Sequence, residues 1–464
     1  MGRSGLDDLN AVGVAWDSWR ATRGGGPAIA ARQRARFEAL IRHTRLASRF
    51  YADHYRGLPT VGLADLTRLP PVAKPALMSR FDDWVTDPVV TRAGVEEFVA
   101  DLDNVGKDLL GKYAVFTTSG STADPALLVQ DRRALAVMMG LAYGRSAGVL
   151  PRRLLPRILA RGARQAAVFA RGGHFLTATM FARQLRAQPL RRHYAKYFSI
   201  LDPLPELVAQ LNDFRPVLIS TYASALSVLA DEQEAGRLHI QPLVISSGGE
   251  PLLPSVRRRA QRLFGAVVVE TYNASEATPM SLPCRLGRMH LNVDWFIVEP
   301  VDSAGNPVPP GQRSDTVLVT NLANYVQPLI RYELGDSVVV AEERCPCGSP
   351  LPTVTVEGRT DEILRVPRDG GGDVVLLPLA LSTVVEETPG VLRYQIVHSA
   401  PATLTVRLDV DPGSLRHEVW DRVQRRMGDF LRTQDAAVAV ERADDPPAVN
   451  PRSGKLRHVL SALP

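Results

Sequence analysis

Val217-Leu218-Ile219-Ser220, Leu243-Val244-Ile245-Ser246 and Val267-Val268-Val269 are three short apolar runs in close succession. Between them, Ala223 to Ala235 carries helical spacing, and Pro254 to Phe264 opens with the proline that suits a first helical turn. The stretch therefore reads β-α-β-α-β. Such a unit builds a parallel sheet covered on both faces, with ligand loops at the carboxyl ends of its strands. Here those loops are Ser247-Gly248-Gly249-Glu250 and Tyr272-Asn273-Ala274-Ser275-Glu276, each bearing hydroxyls and a glutamate.

Upstream, Val115-Phe116-Thr117-Thr118 leads into Ser119-Gly120-Ser121-Thr122-Ala123-Asp124-Pro125. Four consecutive hydroxyl or glycine positions after a β-branched and aromatic lead-in let N–H and O–H groups turn toward one anion. No Gly-Lys-Ser/Thr follows, so this is not a Walker loop. Leu127-Leu128-Val129 predicts a returning strand and Asp131 a helix cap. The residues alone leave a polar turn and a phosphate cradle both open.

Outward from these stretches, residues 27–56 read as an amphipathic helix and Leu63 to Phe81 as a helical lead broken at Pro70-Pro71. Arg132 to Val149 and Phe175 to Ala187 read as helices, and residues 295–357 as a small β unit. The tail reads as a helix near Leu379 to Glu387, strands near Tyr394 to His398 and Leu404 to Leu408, a helix from Ser414 to Leu431 and a strand at Ala437 to Glu441. The expected class is α/β: a large N-terminal domain over 1–357, a hinge at 358–361 and a smaller, mobile α+β domain over 362–464.

With 464 residues, 45% hydrophobic and 22% charged, the chain has ordinary globular composition and room for two or three domains. No apolar run reaches spanning length, and Asp7 and Asp8 stand where a signal peptide needs its apolar region. A cytoplasmic protein with no membrane partner is expected. Three cysteines argue against a disulfide framework. The net charge of +6 is unevenly placed, because thirteen arginines and Lys196, without one Asp or Glu, fall between Arg132 and Leu201. Such a block can attract nucleic acid, anionic lipid or a phosphorylated small molecule, or its arginines can pair with acids elsewhere or at a homodimer contact. Aromatics are sparse within it and no RNA-binding or helix-turn-helix signature occurs, so nucleic acid is not an expected partner.

Six motifs fall in one order: Thr-Ser-Gly-Ser-Thr-x-x-Pro (Thr118 to Pro125), Ser-Gly-Gly-Glu (Ser247 to Glu250), Tyr-x-x-Ser-Glu (Tyr272 to Glu276), Arg-Tyr-x-x-Gly-Asp (Arg331 to Asp336), Gly-Arg-x-Asp (Gly358 to Asp361) and Gly-Lys (Gly454, Lys455). In this order, over nearly its whole length, the chain resembles the adenylate-forming enzymes, and within them the phenylacetate-CoA ligase branch. The resemblance implies that ATP activates a carboxylic acid as an acyl-adenylate, so donors and cations must gather where two anions meet. It implies that Thr118, Ser119, Gly120, Ser121 and Thr122 hold the outer phosphates, and that Gly249, Glu250, Asn273 and Ser275 line the ATP site. Tyr272 is implied to stack on adenine, Asp336 and Arg359 to take the ribose hydroxyls, and Glu276 to bind Mg²⁺. Lys455, one of five lysines beside fifty arginines, is implied at the α-phosphate during adenylation. Asp361 is implied as the hinge about which the C-terminal domain turns between two half-reactions.

Ala123 and Asp124 depart from the family, which prefers glycine and often lysine there, so one phosphate contact is missing. The branch implies an aryl or arylacetic acid in a flat apolar pocket, for which Tyr222, Ala223, Gly248, Ala274 and Pro279 are the candidates; His174 is either a further one or, the favoured reading, a surface or core histidine. As acyl acceptor, a hydroxyl or amine of a small molecule is expected, with coenzyme A as the alternative. A catalytically silent nucleotide-binding protein is the reading of another class. Cys284 with His290, then Cys345-Pro346-Cys347, supplies three thiolates and one imidazole, a closed structural zinc set, with small buried hydrophobes as the other reading.

Overall fold

The computed structural model describes residues 9–118, 125–146, 151, 153–171, 173–359, 364–376, 378–449 and 456–463. Asn10 opens the first helix, α1 (Ala11–Arg23), by accepting from the Gly13 N–H at 2.8 Å. α2 (Gly25–Ala47) and α3 (Arg49–His54) follow. The single helix expected over 27–56 is divided at Ser48, whose backbone is extended and whose Oγ donates to the Trp84 carbonyl at 2.8 Å. α4 (Lys74–Ser79), α5 (Phe81–Trp84) and α6 (Arg92–Ala100) complete this lead. Their apolar faces join Phe37, Leu40, Trp295 and Phe296 in the largest core.

β1 (Ala114–Thr117) and β2 (Leu127–Gln130) pair antiparallel with Phe116 opposite Leu128, so the predicted return strand is present. The Asp131 carboxylate accepts from the Ala134 N–H at 2.7 Å and starts α7 (Arg132–Ser146). α7 packs on α1 at two glycines. A Cβ added to Gly140 would meet the Ala11 carbonyl and the Val14 Cβ at 2.6 Å, so the two backbones approach only because a side chain is missing.

α8 (Leu154–Ala160) and α9 (Leu176–Ala187) flank the start of the parallel sheet. Its strands are β3 (Gln165–Phe169), β4 (Ala195–Ser199), β5 (Leu218–Thr221), β6 (Val244–Gly248) and β7 (Val267–Thr271), in the order β4-β3-β5-β6-β7 and all parallel. The three expected strands are thus one side of a five-stranded sheet. β3 and β4 lie inside the arginine block, where Gln165-Ala166-Ala167-Val168-Phe169 and Ala195-Lys196-Tyr197-Phe198-Ser199 are too short and mixed to give a strand period. α10 (Leu204–Phe214), α11 (Ala223–Glu234) and α12 (Pro254–Phe264) pack on one face, while α8 packs on the other through Leu154 and Ile158.

The small β unit consists of β8 (Ser281–Pro283), β9 (Met289–Leu291), β10 (Phe296–Val301), β11 (Thr316–Asn321), β12 (Tyr332–Glu333), β13 (Asp336–Val340) and β14 (Thr353–Arg359). They form two sheets, β10-β11-β12 and β13-β14-β9-β8. The tail contains β15 (Leu364–Pro367), β16 (Asp373–Leu376), α13 (Pro378–Glu386), β17 (Val391–Ala400), β18 (Thr403–Val410), α14 (Arg416–Thr433), β19 (Ala439–Arg442) and β20 (Val459–Ser461). Its sheet, β19-β18-β17-β20, and its two helices enclose a separate core that includes Ile396, Leu404, Val419 and Met427. The α/β class with a large and a small domain is therefore what the structure shows. Between the two, Ser255 Oγ on α12 donates to Glu386 Oε1 on α13 at 2.5 Å, beside a cleft of about 400 Å³ that includes Ser224, Tyr394 and His458.

Gly140→Val places a side chain in the α1–α7 contact and is expected to lower unfolding stability by about 1–3 kcal/mol in a denaturant melt. Gly428→Ala, at a helical position with open space, is expected to be neutral or stabilising, and equal losses from both would refute the contact. Burial pushes the Glu386 carboxyl up to about 7. Docked, it keeps a proton that it loses when the domains part, so docking is strongest below the ordinary carboxylate range and weakens as pH rises to about 7. Energy transfer between labels on the two domains is expected to fall across that window and to flatten in Glu386→Gln. A wild-type profile without pH dependence there would overturn this assignment.

Candidate active site and metal centre

The two expected ligand loops leave the carboxyl ends of β6 and β7, as the βαβ pattern requires. After β6, Gly249 has φ +81°, and a Cβ on Gly248 would meet Thr271 Oγ1 on β7 at 3.0 Å. The Glu250 carboxylate accepts from the Ser224 N–H at 2.8 Å and from its Oγ at 3.0 Å, which ties this loop to the first turn of α11. After β7, Tyr272 is buried and its hydroxyl donates to Asp336 Oδ2 at 2.8 Å. Two motifs far apart in sequence are thus joined. The strand register then places Asp336 of β13 opposite Arg359 of β14, so the two residues implied for the ribose stand on neighbouring strands.

In the same loop Asn273 Oδ1 is buried without a partner, and the Ser275 carbonyl accepts from Gln130 Nε2 at 3.4 Å. Glu276 is held at both ends: its carbonyl accepts from Asn321 Nδ2 at 2.9 Å, and its Oε1 from the Tyr332 hydroxyl at 3.3 Å. Thr118 closes the neck of the hairpin loop, its N–H donating to the Ala126 carbonyl at 3.1 Å and its Oγ1 accepting from the Ala126 N–H at 2.8 Å. Ser119, Gly120, Ser121, Thr122, Asp361 and Lys455 lie outside the described residues.

Glu276 also lines a cleft of about 190 Å³ with Lys74, Met78, Trp84, Leu128 and Tyr332. Lys74 is a further candidate that the motifs do not mark, because Lys74-Pro75 falls in the helical lead over Leu63 to Phe81, outside all six of them. The rarity of lysine in this chain was the available signal. Of the residues expected to line the acid pocket, Ala223 opens on the cleft between the domains, whereas the Tyr222 ring is buried edge-on against Phe169 with centroids 4.8 Å apart. His174 is a buried histidine whose Nε2 lies 3.3 Å from the Asp101 carbonyl.

The Pro279 loop is held from behind. The Pro279 carbonyl accepts from Asn292 Nδ2 at 2.8 Å, and Asn292 Oδ1 accepts from Arg145 at 2.7 Å. Arg145 is bidentate to the fully buried Asp294 carboxylate, with both contacts at 2.9 Å. In the same arginine block, Arg133 lies over the Trp295 and Tyr325 rings and Arg183 pairs with Asp108. These arginines serve the fold.

Cys284, His290, Cys345 and Cys347 converge, with their ligand atoms all within 4.8 Å of one another. A tetrahedral ion with thiolate and imidazole ligands separates two sulfurs by about 3.8 Å and sulfur from nitrogen by about 3.5 Å. The corresponding distances here are 3.9 Å for Cys284–Cys345 and 3.4 Å for Cys347–His290 Nε2. His290 Nδ1 lies 2.8 Å from the Leu351 carbonyl, and burial holds the ring's pKa below its usual value. A neutral ring that donates there leaves its Nε2 lone pair to the cluster. The residues fit a metal, and the set joins the β8–β9 hairpin to the segment between β13 and β14.

No family model matches the sequence. Protein CapK of Staphylococcus aureus is 25% identical over 183 residues, which are 38% of this chain and 38% of that protein. A solved 2-hydroxyisobutyryl-CoA ligase, in the postadenylation state with 2-HIB-AMP, is 21% identical, and the alignment covers 94% of this chain and 89% of that one with a TM-score of 0.67. The same ligase with 2-HIB-AMP and CoA in the thioesterification state aligns over the same shares with a TM-score of 0.54. The anthranilate CoA ligase AuaEII in complex with anthranoyl-AMP is 13% identical over 74% of this chain and 65% of its own, with a TM-score of 0.51. The chain has the fold of the acyl- and aryl-CoA ligases of the adenylate-forming superfamily.

Proposed function

We propose that this protein is an ATP-dependent, AMP-forming ligase that activates an aromatic carboxylic acid as its acyl-adenylate and passes the acyl group to a hydroxyl or amine acceptor. The observation that carries the reading is the convergence of two motifs at one edge of the parallel sheet, Tyr272 and Glu276 of one bonded to Asp336 and Tyr332 of the other, in a fold used by adenylate-forming ligases. Thr118 to Thr122 cradle the outer phosphates, Tyr272 and Asn273 face the base, and Asp336 with Arg359 takes the ribose. Glu276 is the Mg²⁺ ligand; when bound, the ion neutralises phosphate charge. Lys455 neutralises the charge that develops at the α-phosphate, and Lys74, beside Glu276, meets the acid's carboxylate. The apolar lining of the Lys74 cleft, Leu77, Met78, Trp84, Leu128 and Leu329, supports a flat apolar acid. Coenzyme A is the second reading of the acceptor. The internal use of Arg133, Arg145 and Arg183 weakens it, because those cations are not available to its phosphates. The Cys284, His290, Cys345 and Cys347 set holds one structural Zn²⁺.

A pyrophosphate-release screen over benzoic, anthranilic, hydroxybenzoic and phenylacetic acids, with and without coenzyme A, is expected to show acid-dependent release without consumption of coenzyme A. Stoichiometric consumption of coenzyme A would reverse the acceptor assignment, and absence of release with any acid would sink the adenylation reading. Lys455→Ala is expected to slow acid-dependent pyrophosphate exchange on the order of 10²-fold or more. Undiminished exchange would remove Lys455 from that role. Metal analysis is expected to find one zinc per chain, and Cys347→Ser to lose it together with thermal stability while acid preference persists. A metal-free wild-type protein of equal stability would refute the zinc assignment.

A further inference from the structure

The sequence of α8 sorts into three stripes at helical spacing. Leu154 and Ile158 are buried against Val217 and Leu243, which immediately precede β5 and β6. Leu155 and Leu159, one turn apart, are 61% and 64% exposed. Arg153 and Arg157, also one turn apart, are exposed, and among the described residues no carboxylate pairs with either. The turn before β4 repeats the pattern, with Leu190 76% exposed beside exposed Arg192. Both segments lie at one end of the sheet: α8 packs on the residues that precede β5 and β6, and the turn is tied to the start of β3, where the Gln165 N–H donates to the Tyr194 carbonyl at 2.6 Å and Arg191 donates to Gln165 Oε1 at 2.9 Å. This is the end at which the strands begin. The candidate active site lies at the other.

We infer that this base of the sheet is a docking surface for an anionic lipid bilayer. Charge complementarity points to the occupant, since no Asp or Glu falls between Arg132 and Leu201 to neutralise the surface from within. The leucines choose among polyanions: they add nothing to binding nucleic-acid phosphates, whereas at a bilayer they enter the acyl boundary while arginines hold headgroups. A second copy docked by two-fold symmetry would set arginines against arginines. Peripheral attachment needs no spanning helix, so the lack of spanning runs does not bear on this surface. Docking here leaves the ligand loops at the end of the sheet away from the bilayer.

The test is co-sedimentation of the full chain with phosphatidylcholine vesicles, with and without phosphatidylglycerol. Binding to the anionic vesicles alone, weakened by salt, is expected. Arg153→Ala/Arg157→Ala is expected to weaken partitioning on the order of 30-fold, from about 1 kcal/mol per basic residue. Leu155→Ser/Leu159→Ser should weaken it while leaving the salt response. Equal binding to neutral vesicles, no binding at low salt, or indifference to both double variants overturns the proposal. So does binding of single-stranded DNA or an acidic protein that competes with vesicles and ignores the leucine substitutions.

Discussion

The Asp294 carboxylate is fully buried, and an uncompensated charge there would cost several kcal/mol. Arg145 meets it with two hydrogen bonds, and Arg36 approaches from α2 with its guanidinium 3.4 Å from the Trp295 ring centroid. Neutralising one carboxylate therefore fixes α2, α7 and the segment after β9 relative to one another. Asp17 of α1 holds Arg36 and Arg32, and the α1–α7 contact at Gly140 completes the clamp. From Arg145 the constraint reaches Asn292 and then the Pro279 carbonyl, so the loop that carries Tyr272 to Glu276 is anchored to the N-terminal helices. The N-terminal helices, which carry none of the six motifs, are what hold the candidate site in place.

A second constraint is the parallel sheet itself. Its strands deliver Gly249, Glu250 and Tyr272 to one edge, and the small β unit brings Asp336 against Tyr272 from the side. The Cys/His set lies within that unit and ties its hairpin to the segment between β13 and β14. The two ends of the sheet thus take different chemistry: hydroxyls, carboxylates and Lys74 gather near the ligand loops, arginine and exposed leucine at the opposite end. Such a division lets a surface and a site act without competing for the same residues.

What could be read from sequence was whatever local periodicity or an ordered motif carries. Alternating apolar runs and the proline at Pro254 were enough for β5, α11, β6, α12 and β7, because strand and helix periods are local properties. The Cys284, His290, Cys345 and Cys347 set was legible because metal-ligating residue types are rare here, and the structure brings all four together. The β-α-β-α-β run and the α+β pattern of the tail were enough for the α/β architecture with a large and a small domain. Tertiary structure alone decided the rest. β3 and β4 exist because neighbouring strands pair with them, not because Ala166-Ala167-Val168 declares a strand. The Tyr272–Asp336 bond, the place of Lys74 beside Glu276 and the sorting of the arginine block into buried clamps and an exposed face all depend on contacts across long sequence separations. No local pattern encodes such contacts, since they are selected by the burial of charge and apolar area in the assembled fold.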